Sequence, residues 1–309
     1  MIEVCNLSKS YGERPAIRSL NFTVRKGEVV GFLGPNGAGK STTMKIITGY
    51  MAPTSGEVRI AGFDVFEDPI EVKRRIGYLP ETPPVYYDMY VQEYLKFVAK
   101  LKGVDSSRVK SMVEGALEKT SLQDVRGRLI NNLSKGYKQR VGLAQALVSD
   151  PEILILDEPS VGLDPKQVAE MRQLIRRLKG QHTIILSTHI LPEVQASCEK
   201  VIIINRGSIV AEDSLEGLSR RMSGGGHSVQ LRVRRLHDVV THGISGVEGV
   251  RRAVNSGNRI DIETDGNEDT IERIAGFVVE KGAGLLELKA QALALEDIFI
   301  KLTSSETVH

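Results

Sequence analysis

The stretch Gly34-Pro35-Asn36-Gly37-Ala38-Gly39-Lys40-Ser41 sets a lysine and a hydroxyl directly after a glycine-rich loop. A polyphosphate can lie against backbone N–H groups only where side chains leave room, and glycine leaves it. The pattern is a glycine, four variable residues, then Gly-Lys-Ser, which is that of a P-loop. In such a loop Lys40 would contact the β- and γ-phosphates and Ser41 would ligate Mg²⁺. The loop opens onto TTMKIITG, a helix-compatible segment whose N-terminal amides and partial positive charge favour an anion. Gly34, Pro35, Asn36, Gly37, Ala38, Gly39, Lys40, Ser41 and Thr42 are therefore the candidate residues for binding a nucleotide. A chance glycine-rich turn would lack the buried strand before it and the helix after it.

A second helix start carries related chemistry. In Asn132-Leu133-Ser134-Lys135-Gly136-Tyr137-Lys138-Gln139-Arg140 the serine is a good N-cap and Gly136 allows close approach, which makes a second anion site. Alone, a Ser-x-Gly at a helix start is ordinarily just a cap. Here VGLAQALVSDPEILILDEPSVGLDP follows, and its apolar strand ends in Asp157-Glu158. Two strand-end acids could simply be solvated. On an extended backbone, however, neighbouring side chains point to opposite sides, so with a P-loop upstream the two would do different work. Glu158 would orient and deprotonate an attacking water.

Residues 132–140 resemble the ABC signature, whose usual form is Leu-Ser-Gly-Gly-Gln, and the segment after them resembles that family's Walker B strand and D-loop in order and spacing. The resemblance covers about Ile2 to Leu218. It implies an ATP-binding and ATP-hydrolysing subunit with an α/β fold, a P-loop NTPase domain carrying an inserted helical lobe. By the same resemblance Asp157 supports the Mg²⁺ shell beside Ser41, Glu158 is the catalytic base, and His189 contacts the γ-phosphate and senses its loss. Lys40 completes the catalytic set. Tyr11 matches the aromatic that stacks on adenine, although surface packing would explain it as well. Ser134 and Gly136 match the residues that approach phosphate from the opposite subunit, and Asp164 lies in the D-loop that crosses to it.

Two departures from the family pattern stand out. Lys135 and Tyr137 occupy places where Gly and Gln are usual, while Ser134 and Gly136 are retained. Glu81, in Gly77-Tyr78-Leu79-Pro80-Glu81, stands where the Q-loop glutamine links Mg²⁺ to the transmembrane partner. Hard cations accept carboxylates readily, so Glu81 remains a metal candidate. Both variants resemble those in the ATPases of type-2 ABC exporters. The implied cycle needs a second copy of the chain in a head-to-tail pair that shares two ATP molecules. It also needs an integral-membrane permease subunit, through which the pair would energise transport, with export the expected direction. A soluble ABC ATPase acting on nucleic acid or ribosomes is the alternative. Such proteins usually carry two cassettes or a long coiled coil, whereas this chain has one P-loop, one signature and no sustained heptad pattern.

These residues need strands and helices to position them. Apolar alternation at Ile2-Val4 and Leu20-Phe22-Val24 reads as short strands, with a turn at Tyr11-Gly12. Continuous apolar runs at Val29–Leu33, Ile153–Leu156, Thr183–Ser187 and Val201–Ile204 read as strands buried on both faces. Between them, about Val91 to Leu122, apolar residues recur at helical steps, and Ser106 or Asp105 is a plausible N-cap for the helix through Val109. The expected division is an ATPase domain over 1–222, with the helical lobe at about 88–150, and an accessory α+β domain over 223–309 after the Gly224–Gly226 cluster. The tail reads βαββαβ plus a closing helix over ALEDIFIKL, a ferredoxin-like order. A stabilising appendage is preferred for it over a ligand-binding regulatory domain or a dimerisation arm.

Composition narrows the partners. Of 309 residues 41% are hydrophobic and 26% charged, as in ordinary globular proteins, and the formal net charge is +2. So balanced a charge gives no nucleic-acid footprint, and the arginine pairs are scattered along the chain. Cys5 and Cys198 make no metal or redox spacing and are expected as free buried thiols in a reducing cytosol. No secretion signal opens the sequence, and no apolar run approaches the roughly 20 residues needed to cross a bilayer. A cytoplasmic protein, peripheral at the membrane through its permease, is the expectation.

Overall fold

The alternating N-terminal residues form a long hairpin, β1 (Ile2–Tyr11) and β2 (Arg14–Val24), which pair antiparallel with Ile2, Val4, Leu7, Leu20, Phe22 and Val24 buried on one face. A computed structural model describes residues 1–222, 228–235, 243–256 and 259–291, with 299, 302 and 303. After the hairpin come β3 (Val29–Leu33), α1 (Lys40–Ile47), β4 (Ser55–Ile60), β5 (Phe63–Asp64), α2 (Pro69–Arg75) and β6 (Ile76–Leu79). Three helices follow, α3 (Val91–Leu101), α4 (Val109–Lys119) and α5 (Lys135–Leu147). The chain then alternates β7 (Ile153–Asp157), α6 (Pro165–Leu178), β8 (Thr183–Thr188), α7 (Leu191–Ser197) and β9 (Lys200–Asn205), and continues with β10 (Ser208–Ser214) and α8 (Leu215–Met222).

Two sheets serve the candidate site. One has the order β2-β1-β4-β5, and the other is six-stranded with the order β10-β9-β3-β8-β7-β6. In the second, β9, β3, β8, β7 and β6 pair parallel, as expected for strands joined through helices. Every residue of β3, β7 and β8 is buried, which explains why these segments read as unbroken apolar runs. The parallel arrangement brings the carboxyl ends of β3, β8 and β7 side by side, with Leu33 opposite Thr188 and Asp157 opposite Ser187. That edge is where open α/β sheets place their ligands. The inner face of the hairpin sheet packs with α1, through Met44, Ile46 and Ile47, against Ile155, Ile185 and Ile202 of the parallel sheet.

The helices α3, α4 and α5 share their own core, built on Val91, Leu95, Val98, Val113, Leu117, Val141 and Ala144. The helix through Val109 has no side-chain cap. Asp105 instead accepts from the Ser107 backbone N–H in the preceding turn, at 2.9 Å. Helix α5 belongs to lobe and sheet at once, since Gln145 Nε2 donates to the Tyr78 carbonyl of β6 at 2.9 Å. Cys5 is exposed, contrary to the expected buried thiol, because it faces away from the hairpin core; Cys198 is buried, and burial pushes its thiol up to about 12.

The chain divides into two compact units, Met1–Glu212 and Asp213–His309, so that α8, placed by the sequence in the first domain, goes with the second. In the second unit β11 (Ser228–Val233), β12 (Val250–Ser256), β13 (Arg259–Thr264), α9 (Glu268–Glu280) and β14 (Leu285–Gln291) follow in that order. Its sheet runs β12-β13-β11-β14 with antiparallel pairing, the order of a ferredoxin-like split βαβ sheet. Alternate residues of β11 and β13 pack on Ile274 and Val278 of α9. The Gly224–Gly226 linker and most of the short helix expected after β11 and of the closing helix lie outside the described residues.

One glycine fixes how closely α5 sits on β6. A Cβ at Gly77 would collide with the Ala146 carbonyl oxygen and lie 2.8 Å from Leu154 Cδ2. Overpacking of this kind against backbone costs about 3 kcal/mol. Gly77→Ala should therefore lower the free energy of unfolding measured in urea by that amount; an unchanged value would mean that the helix does not lie against the strand.

Candidate active site

The loop after β3 is shaped by close backbone approach. A Cβ at Gly34 would run into the Ile204 carbonyl oxygen, and one at Gly39 would meet the Ala16 carbonyl oxygen at 2.7 Å. Gly39 also sits at φ +107° and Gly37 at φ +79°, backbone that residues with a side chain adopt only under strain. Gly39 is the N-cap of α1 and offers no side chain to its first amides, which leaves them for a ligand. The loop and its neighbours border an open cavity of about 350 Å³, lined by Asn36, Gly37, Gly39, Lys40, Ser41 and Thr42, with Ala16, Glu81, Glu158, Val161 and His189.

Charge inside this cavity is paired with care. Lys40 is only 5% exposed, and its ammonium donates to the carbonyls of Gly34 at 2.8 Å and Pro35 at 3.2 Å. It also lies 3.3 Å from Glu158 Oε1. The other oxygen of Glu158, Oε2, is 2.8 Å from His189 Nδ1. Glu158 thus stands between a lysine and a histidine, and its own exposure is 6%. Its backbone is at φ +49°, a left-handed conformation that costs a non-glycine residue about 1 kcal/mol. Strand alternation therefore does not explain why Asp157 and Glu158 diverge. Asp157 is the last residue of β7, and the chain turns sharply at Glu158.

Asp157 is buried, and Ser41 Oγ donates to its Oδ1 at 3.3 Å. Burial pushes the Asp157 carboxyl above the ordinary carboxylate range; the hydroxyls of Ser187 and Ser41 pull it back, and the charges of Glu158 and Glu81 push it further up. The hydroxyl of Ser41, the carboxylate of Asp157 and that of Glu81 on the cavity wall make an all-oxygen donor set, which suits a hard divalent cation.

A glycine cradle, a buried lysine and paired carboxylates at the ends of parallel strands have counterparts in known proteins. Residues 17–161 match the ABC transporter family. The bacitracin transport ATP-binding protein BcrA of Bacillus licheniformis is 34% identical over 320 residues, which span 100% of this chain and 99% of BcrA. The chain belongs to the ATP-binding subunits of ABC transporters. The linearmycin resistance ATP-binding protein LnrL of Bacillus subtilis is likewise 30% identical over 98% of each chain. Among solved structures, the dimeric post-hydrolysis state of the cassette MJ0796 bound to ADP and Pi is 26% identical, with a TM-score of 0.64 over 70% of this chain and 99% of that one. This ABC subunit is accordingly an ATP-binding and ATP-hydrolysing protein.

Within the ABC subunit, the other candidate residues stand apart from the cavity wall. Ser134 is exposed at the tip of α5, where its Oγ accepts from the Tyr137 N–H at 3.4 Å. Gly136 is buried, and a Cβ there would lie 2.6 Å from Gln167 Cδ on α6. Those atoms are the movable end of the glutamine side chain, which can shift aside. Tyr137 turns into the helical lobe and its hydroxyl donates to Asp124 Oδ2 at 3.1 Å. The ammonium of Lys135 reaches over Gly162. Asp164 caps α6, accepting from the Gln167 N–H at 2.9 Å. Tyr11 is 50% exposed outside the cavity lining, and its hydroxyl donates to the Met51 sulfur at 3.1 Å. Ala16, Val161 and Gln167 were not singled out by sequence. Their contacts cross from one element to another, and none belongs to a local pattern.

The two loop glycines differ in what an added methyl would do. Gly34→Ala forces a backbone shift at β9 and should cost about 3 kcal/mol. Gly37→Ala meets open space and should cost about 1 kcal/mol for its left-handed backbone alone. Urea unfolding without nucleotide checks the difference; equal losses would show that Gly34 is not pressed against Ile204.

Proposed function

We propose that this ABC subunit hydrolyses ATP through an exchange of partners at Lys40, Glu158 and His189. The pairing of buried Glu158 with the Lys40 ammonium and the His189 imidazole carries this reading. Before nucleotide arrives, Lys40 and His189 hold the carboxylate, which is then poorly placed to accept a proton. A triphosphate in the cradle offers the lysine a more highly charged partner, with loop amides and the tip of α1 binding the remaining oxygens. His189 turns to the γ-phosphate. Glu158, released, orients a water molecule and takes its proton as the water oxygen attacks the γ-phosphorus and the bond to the β-phosphate oxygen breaks. Ser41 and Asp157, with Glu81, would hold Mg²⁺, whose contribution when bound is to neutralise charge on the β- and γ-phosphate oxygens.

The full site needs two copies. Ser134 at the exposed tip of α5 would grip the γ-phosphate held by the P-loop of a second subunit in a head-to-tail pair, with Asp164 at the crossing and Tyr11 stacked on adenine. The MJ0796 cassette is a dimer, which supports this arrangement. No helix among the described residues is long and apolar enough to cross a membrane. A separate permease, contacted near Glu81, would carry the transported molecule, and the subunit would work at the cytoplasmic face of the membrane. BcrA is named for bacitracin transport and LnrL for linearmycin resistance, and both names favour export over action on nucleic acid or ribosomes. The region 223–309 would be an accessory domain that stabilises the subunit; both relatives align along nearly the whole of this chain.

Two substitutions test the roles. Glu158→Gln keeps the shape of the site and removes the base, so ATP binding should persist while turnover falls at least about a hundredfold and an ATP-bound dimer accumulates on size exclusion. Normal turnover would remove Glu158 from the mechanism. Lys40→Ala should weaken ATP binding by more than about tenfold in a titration with a fluorescent analogue. Unchanged affinity would mean that the lysine does not bind phosphate.

A further inference from the structure

Glu193, in the first turn of α7, is only 2% exposed and forms no ion pair among the described residues. Burying a carboxylate without a counter-charge is costly, and the weak attraction of a short helix's N-terminus offsets little of it. Its Oε1 has no hydrogen-bond partner among the described residues. Its Oε2 accepts a 2.7 Å hydrogen bond from Thr188 Oγ1. That threonine oxygen in turn accepts from the Ile190 N–H at 3.1 Å, and the Glu193 N–H donates to the Ile190 carbonyl at 3.0 Å. These bonds close a hook from the last residue of β8 to the first turn of α7, and His189 lies inside it.

The hook connects to both halves of the active site. The Thr188 carbonyl accepts from the N–H of Gly34, the first glycine of the phosphate cradle, at 3.4 Å. From the other side of the same loop His189 reaches Glu158. A side chain that is 39% exposed has little packing of its own to hold it, so the backbone at 188–190 must set where the imidazole stands. We propose that Glu193 is a positioning residue for His189. Through the Thr188 hydroxyl it fixes the backbone from which the imidazole meets Glu158 and, in turn, the γ-phosphate of ATP. This rests on the reading of His189 as the γ-phosphate contact.

The test is steady-state ATP hydrolysis by the full chain with Mg²⁺, comparing Thr188→Val, Glu193→Ala, Glu193→Gln, His189→Ala and the double variant Thr188→Val/His189→Ala. Thr188→Val and Glu193→Ala should each lower kcat about tenfold, the effect of one lost hydrogen bond on positioning, with KM for ATP nearly unchanged. Glu193→Gln retains an oxygen acceptor for Thr188 and should recover most of the rate. Thr188→Val should cost nothing further in the residual turnover of His189→Ala, because it acts through that histidine. An equal cost with and without His189 would mark the hook as merely structural and overturn the proposal. If His189→Ala is slow but Thr188→Val matches the parent, the positioning role fails and the γ-phosphate reading stands. If His189→Ala itself leaves turnover intact, both fail. Should Glu193→Ala not fold, the threonine variants decide alone.

Discussion

A buried carboxylate on the wall of an open cavity, held between an ammonium and an imidazole, is the constraint on which the rest of this molecule depends. Buried charge is tolerable only when paired and hydrogen-bonded, and breaking one partner away leaves the other exposed to that penalty. Glu158 meets the condition through Lys40 and His189, and the three residues follow three different strands of one parallel sheet. In the proposed cycle the same pairing holds the base back until a triphosphate draws Lys40 and His189 away from Glu158, so that binding and activation would be one event.

The sheet exists to bring those ends together. Strands β3, β8 and β7 are adjacent and in register, so the residues after them converge without any long loop. Rigidity comes from their complete burial. Adaptability comes from the short segments beyond them, where the left-handed backbone of Glu158 and the hook around His189 store shape in a few hydrogen bonds. Helix α5 is the counterpart on the lobe. It packs tightly on β6 at Gly77 and presents Ser134 at its exposed end, so its seat on the sheet sets where the serine stands.

Much of this was legible in the order of residues. The glycine pattern before Lys40, the unbroken apolar runs that became β3, β7 and β8, and the capped start of α5 are all local, and local sequence reports them. The tail's strand order also followed from alternation, as β11 and β13 bury every second residue. What stayed hidden was set by distant contacts. Tyr137 answers to Asp124 across the lobe, and Asp105 to the turn before its helix rather than the helix itself. The orphaned oxygen of Glu193 could not be foreseen, because burial of a charged residue on a short helix leaves no periodic trace.

The most direct measurement is a crystal structure of the full chain with a non-hydrolysable ATP analogue and Mg²⁺. Partner exchange requires the Lys40 ammonium to have left Glu158 for the phosphates, His189 to face the γ-phosphate, and the Glu158 carboxylate to turn to a water in line with it. Nucleotide bound while Lys40 and His189 still grip Glu158 as they do in the free chain would contradict it.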